Sequence, residues 1–231
     1  MIQNWLAFWD TSHPIYVNAR HSDVHYRLIA EAVARLLPNA SARVLDYGSG
    51  EALHADLVAA ACGELLLCEG APQLRARVAE RFAANAKIRV IGPEEAARLP
   101  DRSLDLIALH SVAQYLTADE AGALFAMFHR LLQSGGALVV SDVIPPQVPA
   151  VTDALALLRF GAANGFLLAA LGGLVRARLS DYWRLRGQLG LTRYTEAAMT
   201  EKLAAAGFAA RRIAENIGHN QARMAFLARP R

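Results

Sequence analysis

This 231-residue chain lacks long hydrophobic runs, cysteine pairs and clustered metal ligands. The uncharged run from Phe160 to Val175 is shorter than the roughly 20 residues of a membrane-spanning helix, and it contains Asn164 and four glycines. At the N-terminus no basic segment precedes a long apolar core, so the sequence predicts a cytoplasmic protein rather than a secreted one. The two cysteines, Cys62 and Cys68, form no C-x-x-C pair and read as small core residues of a reducing compartment. His21 and His25 are four apart on one helical face, but no further ligand follows at metal-site spacing. No metal is expected, and both histidines read as structural or substrate-lining. Acids and bases nearly balance, with a formal net charge of +3. Nowhere do clustered basic residues interleave with aromatics as on a nucleic-acid surface. The length suits one domain with a large core.

What is present is a set of short apolar runs separated by turn signals. Val44-Leu45 leads into Asp46-Tyr47-Gly48-Ser49-Gly50-Glu51, and a helix-like run follows from Ala52 to Cys62. That pattern predicts a buried strand, a tight turn and a helix. Glycine at the turn permits positive φ and close approach of a ligand. Leu65-Leu66-Leu67-Cys68 is a second strand and ends in Glu69, where a nucleoside-binding α/β fold places its ribose ligand. The dinucleotide fingerprint G-x-G-x-x-G is broken, because Leu53 stands at the third glycine. Asp46, two residues before the turn, would repel a phosphate and attract a cation.

The next segments keep the same alternation. A helix is predicted over Pro72 to Asn85, then a strand from Ile88 to Ile91. Gly92-Pro93-Glu94-Glu95 and Leu99-Pro100 precede a fourth strand, Leu104 to His110. Leu131 to Asp142 reads as a helix end, a glycine turn and a fifth strand. In this order the blocks resemble the class I S-adenosylmethionine-dependent methyltransferases, whose first motif is D-x-G-x-G, over most of residues 42–146. The resemblance implies an α/β, Rossmann-like, seven-stranded and mostly parallel sheet with an antiparallel last strand and helices on both faces. It implies S-adenosylmethionine as cofactor. Asp46, Gly48, Ser49 and Gly50 would frame the methionine end, and Glu69 would accept from the ribose hydroxyls. Glu95, with Glu94 second, would meet the adenine amino group, and His110 would border the cofactor. Such proteins often carry an N-terminal cap that touches the cofactor, which makes Tyr16, with Arg20 nearby, the candidates for the methionine end.

The flanks are this chain's own, within what reads as one domain over 1–231. In a cap over residues 1–38, Ile2, Trp5, Leu6 and Trp9 share one helical face. That face either packs on the core or serves as a lid or membrane contact. Ser22 is predicted to cap a helix running to Leu37. Thr117-x-x-Glu120 is a capping box, and Thr195 caps a last helix ending at Gly207. Strands follow over Phe208 to Asn216 and Ala222 to Ala228. Their joining loop lies at the ligand-binding edge of the implied sheet, so His219, Asn220 and Gln221 are either substrate-site residues or a solvated turn. Residues 150–193 form an apolar insertion carrying Arg159, Arg176, Arg178, Arg184, Arg186 and Arg193. It reads as a helical lid over an apolar substrate, or as a lid that also rests on an anionic membrane surface.

Methyl transfer from a sulfonium demands alignment and exclusion of water, and a base only where the nucleophile starts protonated. His110 is the first candidate base, His219 the second and Asp142 the third. The alternative for each is a residue that lines the cofactor or orients a loop. The expected function is methyl transfer to a small or lipophilic acceptor. A non-catalytic protein of the same fold acting through its helical insertion is the alternative. Leu53 and Asp46 oppose a nicotinamide-dependent oxidoreductase.

Overall fold

Val44, Leu45, Leu65, Leu66, Leu67, Leu106, Ile107 and Leu109 are all at most 1% exposed. Strands this apolar on both faces require cover on both, which is the condition of a parallel sheet with helices above and below. The computed structural model describes residues 5–10, 16–177 and 190–231. Its strands are β1 (Arg43–Tyr47), β2 (Glu64–Cys68), β3 (Ile88–Ile91), β4 (Leu104–His110), β5 (Leu132–Val143), β6 (Phe208–Ile213) and β7 (Met224–Pro230). They form one seven-stranded sheet in the order β3-β2-β1-β4-β5-β7-β6. β1 to β5 pair in parallel, and β7 lies antiparallel between β5 and β6.

The helices are α1 (Trp5–Trp9), α2 (Ala19–Arg35), α3 (Ala55–Ala61), α4 (Pro72–Arg81), α5 (Pro93–Ala97), α6 (Ala118–Leu131), α7 (Ala150–Asn164), α8 (Leu167–Ala177) and α9 (Glu196–Ala205). One core contains Phe125 and Phe128 of α6 and Met199 and Leu203 of α9, packed with Phe208 and Phe226. The other contains Ala30 and Val33 of α2, Val58 of α3 and Val78 of α4. Strand order reverses between β1 and β4, and such a switch point opens a crevice at the carboxyl ends of the strands. Those ends here are Tyr47, Cys68 and His110.

Three local expectations need correction. α2 starts at Ala19, and its cap is Asn18 rather than Ser22, because Asn18 Oδ1 accepts from the His21 N–H at 2.9 Å. The glycine pair Gly135-Gly136 lies within β5 instead of forming a turn before it. The left-handed Gly135 (φ +89) and a register shift between Leu104 and Leu106 absorb the irregularity. The helix after the first glycine turn starts only at Ala55, because Ala52 is left-handed (φ +47) and residues 51–54 are still turning.

The apolar insertion folds as α7 and α8, joined at the left-handed Gly165. The pair packs on α2 through a cluster of Val24, Phe166 and Ala170. Gly173 matters there: a Cβ at that position would lie 2.2 Å from Val17 Cγ1. Arg178, Asp181, Arg184 and Arg186, like Ile2, lie outside the described residues. No helix among the described residues is long and apolar enough to cross a membrane.

The capping box ahead of α6 is formed: Thr117 Oγ1 accepts from the Glu120 N–H at 3.2 Å, and Glu120 Oε2 accepts from the Thr117 N–H at 2.7 Å. We expect Thr117→Ala to cost about 1 kcal/mol and to lower Tm by roughly 2–4 °C in a thermal melt. An unchanged Tm would mean that packing of Phe125 and Phe128 alone sets the start of α6.

Candidate functional site

A cavity of about 870 Å³ lies over the switch point. One end is the turn after β1. Gly48 (φ +79) and Gly50 (φ +58) are both left-handed. A Cβ at Gly48 would lie 2.4 Å from Val112 Cγ2, and one at Gly50 would lie 2.6 Å from Tyr26 Oη. The turn's amides all have protein partners. The Gly48 and Ser49 N–H groups donate to the Cys68 carbonyl at 2.8 and 3.1 Å. The Gly50 N–H donates to Glu69 Oε2 at 2.9 Å, and the Glu51 N–H to Tyr26 Oη at 2.8 Å. A phosphate nest needs free N–H groups, and this turn offers none at these four positions.

Instead the turn offers carboxylates. Glu69 is buried, and its second oxygen accepts from the Ala71 N–H at 2.9 Å. Burial raises its pKa against the pull of these N–H groups and Arg75. Asp46 lines the cavity and accepts no hydrogen bond from any described residue. Burial, and then the charge of Glu69, push its pKa up to about 7. Ser49 Oγ is buried without a partner among the described residues. The site therefore suits a ligand with a cationic end and hydroxyl groups. Trp5, Leu6 and Trp9 of α1 line the wall beside Gly70 and Pro93, with Tyr115 at 4.7 Å from Trp5 and 5.7 Å from Trp9, centroid to centroid.

At the other end four imidazoles gather. His21 and His25 come from α2, His110 from the end of β4 and His219 from the loop before β7, and all four line the cavity. Ring centroids are 5.9 Å apart for His25–His110 and for His25–His219, and 6.1 Å for His21–His219. The α7–α8 pair lies behind them: Phe160 stacks on His219 at 4.7 Å and Phe166 on His21 at 4.9 Å. His110 Nδ1 shares a 2.9 Å hydrogen bond with Ser141 Oγ. Burial lowers the pKa of all four, that of His21 to about 4.

Of the sequence candidates, Tyr16, Asp46, Gly48, Ser49, Gly50, Glu69, His110, Asp142 and His219 all line this cavity. Arg20 does not. With the helix started by Asn18, its exposed side chain turns to Asp23 and to the Asn164 carbonyl. Glu94 and Glu95 sit exposed in the first turn of α5, and neither lines the cavity; Glu95 instead lies 4.0 Å from Arg89. Asn220 and Gln221 brace their loop, through Asp153 and through the Asn216 and Gly218 carbonyls.

Asp142 is unsuited to be the base. Its carboxylate pairs with Arg223 at 2.6 Å and also accepts from Ser111 Oγ and Asn216 Nδ2. Sequence reasoning missed Gln114, Tyr115 and Arg223 as lining residues and left His21 and His25 undecided. Only the four-residue spacing of those two histidines signalled a shared surface. Among the described residues no group of three or more His, Cys, Asp or Glu is arranged to hold a metal ion.

Residues 45–140 match the family model described as a methyltransferase domain. No curated protein matches the chain. Among solved structures, magnesium protoporphyrin IX methyltransferase from Synechocystis with bound SAH is 16% identical, with 97% of this chain and 92% of that one covered and a TM-score of 0.59. Human N-acetylserotonin methyltransferase in complex with SAM is 14% identical, covering 97% of this chain and 55% of that one at TM-score 0.59. The YcgJ protein of Bacillus subtilis is 18% identical, covering 82% and 71% at TM-score 0.57. At these identities the likeness is one of fold.

The histidines make the fold acid-sensitive. Below about pH 6.5 an unfolded histidine takes up a proton that the buried one refuses, so stability is complete above that pH and falls as pH drops toward 4. Asp46 and Glu69, with raised pKa, oppose this trend. We therefore expect the Tm difference between His21→Phe and wild type to move in the variant's favour from pH 7 to pH 5, each unit of pKa shift being worth about 1.4 kcal/mol. A difference that stays constant with pH would contradict the buried, neutral state of His21.

Proposed function

We propose, for a chain whose residues 45–140 match the methyltransferase domain model and whose sheet is Rossmann-like, that it is an S-adenosylmethionine-dependent methyltransferase acting on a small, lipophilic acceptor. The observation that carries this reading is the single cavity that joins the glycine turn to the four imidazoles. The residues at the turn fit the donor. Asp46 accepts no hydrogen bond from any described residue and is available to the cationic methionine end, and Ser49 Oγ is buried without a partner among the described residues. Glu69 keeps free lone pairs for ribose hydroxyls after accepting two N–H groups. The adenine takes the aromatic wall of Trp5, Trp9 and Tyr115. When bound, the donor supplies an electrophilic methyl on a positively charged sulfur.

The chain's own part is to hold the nucleophile in line, exclude water and accept a proton where one must leave. The α7–α8 pair does the excluding, as a lid whose Phe160 and Phe166 back the imidazoles. His110 is the base: Ser141 fixes its ring, and burial lowers its pKa and keeps it neutral, so that Nε2 has a lone pair for a proton that leaves only as the methyl is transferred. The acceptor sits between the donor and the lid.

One observation favours a further contact. Leu168 is 84% and Val175 71% exposed on α8, Leu171 lies between them, and exposed Arg176 follows. With exposed Arg159 on α7, this surface suits the peripheral face of an anionic bilayer, from which a lipophilic acceptor would be drawn.

Calorimetric titration with S-adenosylhomocysteine and transfer of labelled methyl to a panel of lipophilic acceptors test the reading together. Gly50→Ala, strained at positive φ by about 1–2 kcal/mol and pushed against Tyr26 Oη, is expected to lose roughly tenfold or more in affinity. His110→Ala is expected to bind S-adenosylhomocysteine as before and to lose about 100-fold in turnover. Unchanged turnover removes His110 as base, and absence of S-adenosylhomocysteine binding overturns the function.

A further inference from the structure

We propose that His25 joins His110 in gripping one hydroxyl oxygen of a flat, uncharged acceptor, an assignment that rests on the methyltransferase reading above. Both residues line the cavity. His25 Nδ1 and His110 Nε2 are buried and have no hydrogen-bond partner among the described residues. A buried ring nitrogen left unsatisfied is costly, and two on neighbouring rings in one cavity point to a shared ligand atom. An oxygen hydrogen-bonded to a ring nitrogen lies about 4 Å from that ring's centre, so rings whose centroids are 5.9 Å apart can share one.

The surroundings fix the class of acceptor. Asp142 and Arg223 neutralise one another at 2.6 Å, and Arg223 reaches Asp153 at 3.2 Å. Two carboxylates on one guanidinium leave Arg223 no positive charge to spare for an anionic acceptor. Its walls are planar groups. Tyr16 lies 5.5 Å from His25, and His21 and His219 are held edge-on to one another by the phenyl rings stacked behind them. A flat ring bearing a hydroxyl matches both features.

In the reaction the hydroxyl proton passes to His110 Nε2 while His25 donates its Nδ1–H to the same oxygen. The oxygen–methyl bond forms as the methyl–sulfur bond breaks, and the bonding pair stays on sulfur. The products are a methyl ether, a neutral thioether and a protonated imidazole.

The probe is 2-naphthol, titrated by its own fluorescence into protein saturated with S-adenosylhomocysteine, beside naphthalene and 2-naphthoate. Wild type is expected to bind 2-naphthol roughly tenfold or more tightly than either comparator. His25→Leu should abolish the preference over naphthalene while still binding naphthalene, and His25→Asn, which keeps a polar atom near the Nδ1 position, should restore part of it. Equal affinity for naphthol and naphthalene in wild type, or an equal loss of both in His25→Leu, overturns the assignment. Failure of S-adenosylhomocysteine to bind overturns the methyltransferase reading and this inference with it, whereas binding without naphthol preference overturns this inference alone.

Discussion

One buried carboxylate organises the donor end of the cavity. Glu69 closes β2 and takes N–H groups from two different loops, Gly50 after β1 and Ala71 before α4, each at 2.9 Å. The neighbouring Cys68 carbonyl takes the Gly48 and Ser49 N–H groups. Both loops at the switch point are thus locked to the end of one strand, and their backbone donors are engaged before any ligand arrives. A buried charge is tolerated when it is hydrogen-bonded, and here the Arg75 guanidinium, which donates to the Glu69 carbonyl at 2.7 Å, adds compensation. The result is a glycine bend that looks like a nucleotide-phosphate loop in sequence and differs from one in chemistry. It shows carboxylates outward, not amides.

The opposite end follows a different logic. Four imidazoles from three parts of the chain meet beside the α7–α8 pair. Phe160 of α7 and Phe166 at the α7–α8 junction lie flat on two of them, so the same contacts that seat the helix pair help to bury the imidazoles. In the proposed reaction these buried, neutral nitrogens would stand beside a positively charged methyl donor, with a lone pair for the proton of a weakly acidic acceptor. Around this cluster Asp142, held left-handed at φ +63, ties β5 to the loop before β7 through Asn216 and Arg223. Its carboxylate is an anchor for the site's rim.

The sheet was legible because its central strands are continuous apolar runs bounded by glycine and acid, a pattern that depends on local sequence alone. The glycine turn and Glu69 could be read for the same reason. What escaped depends on partners distant in sequence or on a shift of one helical turn. Starting α2 at Asn18 rather than Ser22 moves Arg20 to the exposed first turn, where Asp23 and the Asn164 carbonyl hold it. Glu94 and Glu95 sit on an exposed turn of α5 whose orientation the spacing did not reveal. Asp142 read as a free acid because its partner, Arg223, lies 81 residues away. The histidine cluster is the clearest case: the four-residue spacing of His21 and His25 was visible, whereas His110 and His219 reach them only once the strands pair into the sheet.

The most direct test of the account is a calorimetric titration of the purified protein with S-adenosylmethionine and, separately, with NAD. Carboxylates facing a bend whose amides are already paired should favour the sulfonium, so the account expects saturable, one-site binding of S-adenosylmethionine and no detectable heat with NAD. Binding of NAD, or no binding of S-adenosylmethionine, would contradict it.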